Sequence, residues 1–387
     1  MLKKYVLLLL LVSQFSFAQT VQLSVYSEIS IVTSGPGDNL YEKFGHTAIR
    51  VKDPVLNLDL LYNYGIFDFN DPNFYANFVR GFMKYKLARY PFHYALKSAQ
   101  QDDRWVKQQV LNLNIKERNE FFQFLEQNVK PENASYFYDP FFDNCATRPR
   151  DITKSILKEK LNLNEGFITE DKSIRTLMNE KIHPNSWGSF GINIALGNRL
   201  DKIASPEEYL YLPEYLYEAY EVSKISNGKS LIKKTETLLD FETKSVKADF
   251  PSPLLIFTLL LIIVAIITYK DYKKKRQTKI LDFILLFSTG IVGVLIVFLW
   301  FFTNHSTAPN NFNFLWAFAP NIVVSFFLLG KTPKTWIKKY FLVLIVLLAL
   351  IPIIHIMGIQ TFTYPIIPFV ALLFLRYLFL YKISPQK

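Results

Sequence analysis

Phe141-Phe142-Asp143-Asn144-Cys145-Ala146-Thr147-Arg148-Pro149-Arg150-Asp151 holds the one cysteine among 387 residues and puts it where a loop becomes a helix. Asp143 and Asn144 are N-cap residue types, whose side-chain oxygen accepts from the free N–H groups of a first helical turn. A thiol placed there lies among unpaired donors at the positive end of the helix dipole, which favours thiolate over thiol. Pro149 has no N–H for the carbonyl four residues back, so the regular helix is expected to begin a residue or two after Cys145. A lone cysteine is most often a small buried apolar residue. The polar and charged neighbours, together with a second reactive candidate upstream, point instead to a nucleophile.

The second candidate is His46, within Tyr41-Glu42-Lys43-Phe44-Gly45-His46-Thr47-Ala48-Ile49-Arg50-Val51. Alternation makes this a strand with Thr47, Ile49 and Val51 on one face and His46, Ala48 and Arg50 on the other. Leu58 to Phe69 reads as a further strand, carrying Tyr62, Asn63, Tyr64 and the turn-permitting Gly65. Any of Tyr62, Asn63 and Tyr64 could orient His46, although only one face of the strand can reach it. Val21 to Thr33 is expected as a strand stopped by Ser34-Gly35-Pro36-Gly37, and Asp71-Pro72 opens a short helix through Phe74, Phe78 and Phe82. Residues 84–98 and 104–113 are expected as paired strands. Asn114 with Glu117 forms a capping-box pattern at the head of a helix that Pro131 ends. A short strand at Tyr136 to Tyr138 leads to Cys145, and the helix after it is expected to run to about Leu161. Residues 170–224 read as mostly helical and 226–250 as a polar tether.

Composition moves the last third of the chain into a membrane. Half of all residues are hydrophobic and 16% are aromatic, which is rich for a soluble protein. The formal charge of +11 is local: residues 252–387 hold 13 Lys and Arg against Asp271 and Asp282, leaving 31 basic and 31 acidic groups before them. The globular part therefore has no basic excess to offer phosphates, and a nucleic-acid partner is excluded. Apolar runs at about 253–269, 281–303, 314–330, 340–358 and 364–381 are expected as five spans. The connection 270–279 carries six Lys and Arg and 331–339 carries four, while 304–313 and 359–363 carry none. By the positive-inside rule the charged loops and the C-terminus are cytoplasmic and the globular domain is outside. Residues 1–18 have the basic start, short apolar run and small-residue exit of a signal peptide, which gives the same topology. Arg376, near the inner end of the last run, is expected to snorkel.

The motifs around His46, Tyr62-Asn63-Tyr64-Gly65 and Asp143-Asn144-Cys145-Ala146-Thr147-Arg148, with Leu210 to Pro213, resemble the periplasmic domain of the lipoprotein N-acyltransferases of Bacteroides-type bacteria. Asn304-His305, Asn313 and Leu315-Trp316 resemble that family's transmembrane domain, with Asn304 standing where an acidic residue is expected. The resemblance implies an α+β, permuted papain-like domain, similar to lecithin:retinol acyltransferase, over residues 19–225, a linker over 226–250 and a five-helix transmembrane domain over 251–387. It also implies that His46 and Cys145 meet although 99 positions separate them. Cys145 would then be the nucleophile and His46 the general base and acid, taking a fatty acyl chain from phospholipid to the α-amino group of a diacylglyceryl-cysteine lipoprotein in the bacterial inner membrane.

Other readings stay open on the residues alone. The same pair serves a membrane-tethered cysteine peptidase or amidase acting on cell-wall peptides, and a packed cysteine serves a scaffold. Asn144 is expected at the pocket, Arg148 either holds a lipid phosphate or forms an ion pair, and His305 either meets headgroups or sits in an interfacial polar loop. His93 and His183 lack metal-ligand spacing, and no cofactor signature is present.

Overall fold

The computed structural model describes residues 21–67, 71–330 and 334–383. The expected signal peptide lies outside them. Seven antiparallel strands form the main sheet: β1 (Glu28–Ser34), β2 (His46–Asp53), β3 (Leu58–Ile66), β4 (Lys84–Pro91), β5 (Val106–Leu111), β6 (Ser135–Phe137) and β7 (Ile232–Leu239). Their spatial order is β6-β4-β3-β2-β1-β5-β7. Between them come α1 (Phe74–Arg80), α2 (Phe92–Gln101), α3 (Ile115–Asn128) and α4 (Thr147–Leu157), followed by α5 (Ile174–Lys181), α6 (Trp187–Ala195) and α7 (Pro213–Val222).

Alternation along the strands splits the core into two layers. Ile29, Ile31, Ile49, Val51, Tyr62 and Tyr64 face α3 and α4, where they meet Phe121, Leu125, Ile152 and Leu157. Val32, Ala48 and Leu61 face the other way, against Phe92 and Ala99 of α2. Asn114 accepts from the Glu117 N–H at 3.0 Å and Glu117 returns the bond to the Asn114 N–H at 2.9 Å, so α3 begins with the expected capping box.

Four expectations for the globular part are corrected. β1 starts only at Glu28, because Val21 and Val25 are exposed and have no sheet to bury against. Residues 84–98 are not one strand: Pro91 ends β4 and α2 follows, while β5 pairs with β1 and β7 rather than with β4. The helix after Cys145 stops at Leu157, short of Leu161. The tether over 226–250 contains β7, whose Ile232 and Leu239 mark the ends of a ladder with β5; charged residues on its exposed face hide the alternation.

The C-terminal part holds α8 (Pro253–Lys274), α9 (Lys279–Phe301), α10 (Asn321–Leu328), α11 (Trp336–Ile356) and α12 (Ile367–Ile383). Among the described residues four helices are long and apolar enough to cross a membrane. The expected third span, 314–330, is not one continuous helix: the turn Phe312–Leu315 and the eight-residue α10 carry the chain from the loop held at Ile194 to Gly330, whose carbonyl accepts from Lys279 at the start of α9. Non-helical backbone at that depth must be buried in protein, and α9 provides the cover through two glycines. A Cβ on Gly290 would come within 2.2 Å of the Ile322 nitrogen, and one on Gly293 within 2.1 Å of the Ala317 carbonyl oxygen.

Arg376 does not snorkel. It is fully buried, with Nε 2.5 Å from Asp282 Oδ1, Nη2 2.9 Å from Asp271 Oδ2 and Nη1 3.2 Å from Thr268 Oγ1. The two acidic residues of this region thus close on one cation and tie α8, α9 and α12 together. Removing Arg376 alone leaves the Asp282 carboxylate buried without a cation and Asp271 with only the exposed Arg276 at 3.4 Å, at a cost of roughly 3–5 kcal/mol. Arg376→Leu is therefore expected to lower the thermal midpoint of the detergent-solubilised protein, and Asp271→Asn with Asp282→Asn in the same chain to restore most of it. An Arg376→Leu midpoint equal to that of the wild type would contradict the assignment.

Candidate active site

Asn144 builds the turn that presents Cys145. Its Oδ1 accepts from the N–H groups of Ala146 at 2.8 Å and Thr147 at 3.0 Å, and its Nδ2 donates to the carbonyls of Pro140 and Tyr211. The regular helix begins at Thr147, two residues past the thiol. Asp139 secures the approach: its Oδ1 accepts from the N–H groups of Phe141 and Phe142, and its backbone exchanges both hydrogen bonds with Asp143. Cys145 is buried as a result, with its sulfur fixed at the end of the sheet.

The strand register brings the imidazole there. Ile49 stands opposite Tyr62, so His46 and Asn63 project to the same face while Tyr62 and Tyr64 project to the other. His46 Nε2 lies 2.6 Å from Asn63 Oδ1, and Asn63 Nδ2 donates to the Tyr90 hydroxyl at 2.7 Å. That leaves Nδ1 for the thiol, and His46 and Cys145 lie close enough for each to shift the other's titration. Gly65 makes room: its φ is +91°, and a Cβ there would meet the Tyr138 ring at 3.2 Å and Cys145 Cβ at 4.0 Å.

Charge follows from this geometry. Burial by itself pushes the Cys145 thiol up, but the facing His46, the hydrogen bond to it and the N–H groups of Thr47 and Cys145 outweigh burial and hold the thiol below its ordinary value. Burial likewise works against a charged His46, yet the sulfur and the Asn63 oxygen keep the imidazole above its ordinary value. Both shifts run toward a thiolate paired with an imidazolium.

The other expected residues divide. Tyr62 donates to Glu126 at 2.5 Å and Tyr64 to Asn128 at 2.9 Å, both on the α3 side and away from His46. Arg148 is held by Asp143 through two nitrogens and lies over the Tyr136 ring at 4.1 Å, which is the ion-pair alternative. His305 stands edge-on to Phe78 in the loop between α9 and α10. Among the described residues no group of three or more His, Cys, Asp and Glu could hold a metal.

Two features escaped the sequence. Arg104 donates to the Gly35 carbonyl at 2.8 Å and borders, with His46, Asn63 and Tyr90, a cavity of about 150 Å³ under α2. Only the pairing of β1 with β5 reveals it. The second is that the membrane part grips the cysteine loop: Ser306 donates to Asp139, Arg199 donates to the Ser306 carbonyl at 3.1 Å, and the Gly197 N–H donates to the Thr307 carbonyl at 2.8 Å. The Asp-Pro-Phe-Phe run before Cys145 signals a capped turn but not its distant partner.

A hydrogen bond to a charged group contributes about 1.5–3 kcal/mol, so Asn63→Ala is expected to slow alkylation of Cys145 by iodoacetamide at neutral pH roughly 10- to 100-fold. Tyr62→Phe, which changes only the opposite face, is expected to leave that rate within about twofold. Equal rates in Asn63→Ala and wild type would contradict the orientation described.

Two family models match the chain. The Lnb N-terminal periplasmic domain matches residues 16–180, a range that contains both His46 and Cys145, and the Lnb transmembrane domain matches residues 245–387. No curated protein and no solved structure matches it. With both domains present in one chain, in this order and over about four-fifths of its length, the protein belongs to the Lnb family of periplasmic domains joined to a transmembrane domain.

Proposed function

We propose that this chain is a cysteine-dependent acyltransferase of the bacterial inner membrane. It would move a fatty acyl chain from phospholipid, through a thioester on Cys145, to the α-amino group of a diacylglyceryl-cysteine lipoprotein. The observation that carries the reading is the Cys145, His46 and Asn63 line, set in a loop that the membrane part itself holds through Ser306 and Asp139.

The steps balance on these groups. The Cys145 thiolate attacks the ester carbonyl while the Cys145 N–H donates to the developing oxyanion. The carbon–oxygen bond breaks, the imidazolium of His46 gives its proton to the leaving lysophospholipid alkoxide, and a thioester remains. The amine of the lipoprotein then attacks, neutral His46 takes its proton, the carbon–sulfur bond breaks and an amide leaves. A thioester suits this relay because amines attack it more readily than an oxygen ester. The order of histidine strand before cysteine helix supports the permuted papain-like reading, and the position of the uncharged loops against the globular domain supports a periplasmic site with a cytoplasmic C-terminus. Burial of the sulfur favours transfer over hydrolysis, since water competes with the amine for the thioester.

Full-length protein incubated with acyl-labelled phospholipid is expected to acquire a hydroxylamine-sensitive label that Cys145→Ala abolishes, and deletion of the gene is expected to shift lipoproteins from triacyl to diacyl forms. Lipoproteins of unchanged mass, with altered wall peptides in their place, would instead assign the site to an amidase.

A further inference from the structure

The helix α1 has no buried side chain, and its exposed face is apolar: Tyr75 is 70% exposed, Phe78 48% and Val79 47%. Exposed apolar groups gathered on one short element mark a contact surface. Its location says which kind. The Arg80 carbonyl accepts from the Asn304 N–H at 2.9 Å, and Gly81, with φ +77°, packs so closely that a Cβ there would lie 2.6 Å from the His305 nitrogen. Asn304 follows two residues after Phe302, and Phe301 and Phe302, 64% and 70% exposed, end the span α9. Trp300 precedes them, and a tryptophan at the end of an apolar span lies at the lipid–water boundary, so the apolar face of α1 stands at the same level.

From this face a run of rings leads inward. Phe78 stacks on Phe74 at 6.3 Å, Phe74 meets Phe67 at 5.8 Å and Phe67 meets Tyr85 at 5.1 Å. Tyr85 stacks on Tyr138 at 4.6 Å, and Tyr138 borders Gly65 beside Cys145. The rings form an apolar path from the bilayer boundary to the thiol, with the exposed guanidinium of Arg80 at its outer end, where a phosphate would lie.

We infer that α1 dips into the outer leaflet and that one acyl chain of a phospholipid lies along Phe78, Phe74 and Phe67, which brings its ester carbonyl to Cys145. The direction of travel rests on the acyl-transfer reading; the contact with lipid does not. Cys145→Ala removes the only cysteine, so Val79→Cys and, as a control on α2, Tyr94→Cys can each carry a nitroxide in the full chain, reconstituted in phosphatidylethanolamine and phosphatidylglycerol vesicles. The label at 79 is expected to collide with oxygen several-fold more than with a water-soluble nickel chelate, and the label at 94 to show the reverse. In the chain that keeps Cys145, Phe78→Asp is expected to lower the ratio of labelling from vesicle phospholipid to labelling from a short water-soluble ester at least tenfold. A water-exposed label at 79, or an unaltered ratio, overturns the inference. A lipid-exposed label at 79 in a protein that accepts acyl groups from neither donor upholds the membrane contact and overturns the transferase reading alone.

Discussion

A sulfur anion and an imidazolium persist out of water only when each offsets the other's loss of hydration. That requirement explains most of the architecture around Cys145. The charged pair must be close, aligned and shielded together, and two elements far apart in the chain supply it. Sheet register sends His46 and Asn63 to one face, Asn144 locks the turn before α4, and Gly65 gives up its side chain so that sulfur and strand can approach. None of these is a strong interaction alone. Their combined effect is to set one imidazole beside one sulfur.

The membrane part is a structural partner of this site as well as an anchor. The loop after α9 grips Asp139, six residues before the thiol, and the α6 end of the globular domain hydrogen-bonds to the same loop through Asn193 and Ile194. A second uncharged loop joins in, with the Thr361 N–H donating to Asp201 at 2.8 Å, and Asp201 in turn pairs with the buried Arg175. Deep in the bundle, the Asp271, Arg376 and Asp282 cluster fixes the helices that carry these loops. The cysteine loop is therefore tied to the helix bundle by hydrogen bonds that a detached globular domain would lack.

Much of this was legible in the residues. Cap chemistry located Cys145 at a helix start, alternation located His46 at a strand start, and the Asn114 and Glu117 pair marked α3. What stayed hidden was set by tertiary context. Which of Tyr62, Asn63 and Tyr64 reaches His46 depends on register, which alternation alone does not fix. The strand at 232–239 pairs at a sheet edge with charged residues outward, so it resembles a tether. The run 314–330 is apolar enough for one continuous helix, yet Pro320 and the buried Asn321, whose amide donates to Thr289 at 3.0 Å, show why the helix is broken there. Arg376 looked like a snorkelling residue because its two carboxylate partners are about a hundred positions away.

The central claim is that Cys145 is ionised by His46. As the chain has one cysteine, the ultraviolet thiolate band, taken as the difference from Cys145→Ala, titrates that sulfur directly. A lowered thiol pKa means that the anion is present above that value and disappears only as the pH falls through it. The band is expected to persist well below the pH of about 8.5 at which a free thiol ionises, and in His46→Ala to appear only at more alkaline pH. A wild-type band that first appears at or above the free-thiol value, unmoved by His46→Ala, would contradict the account.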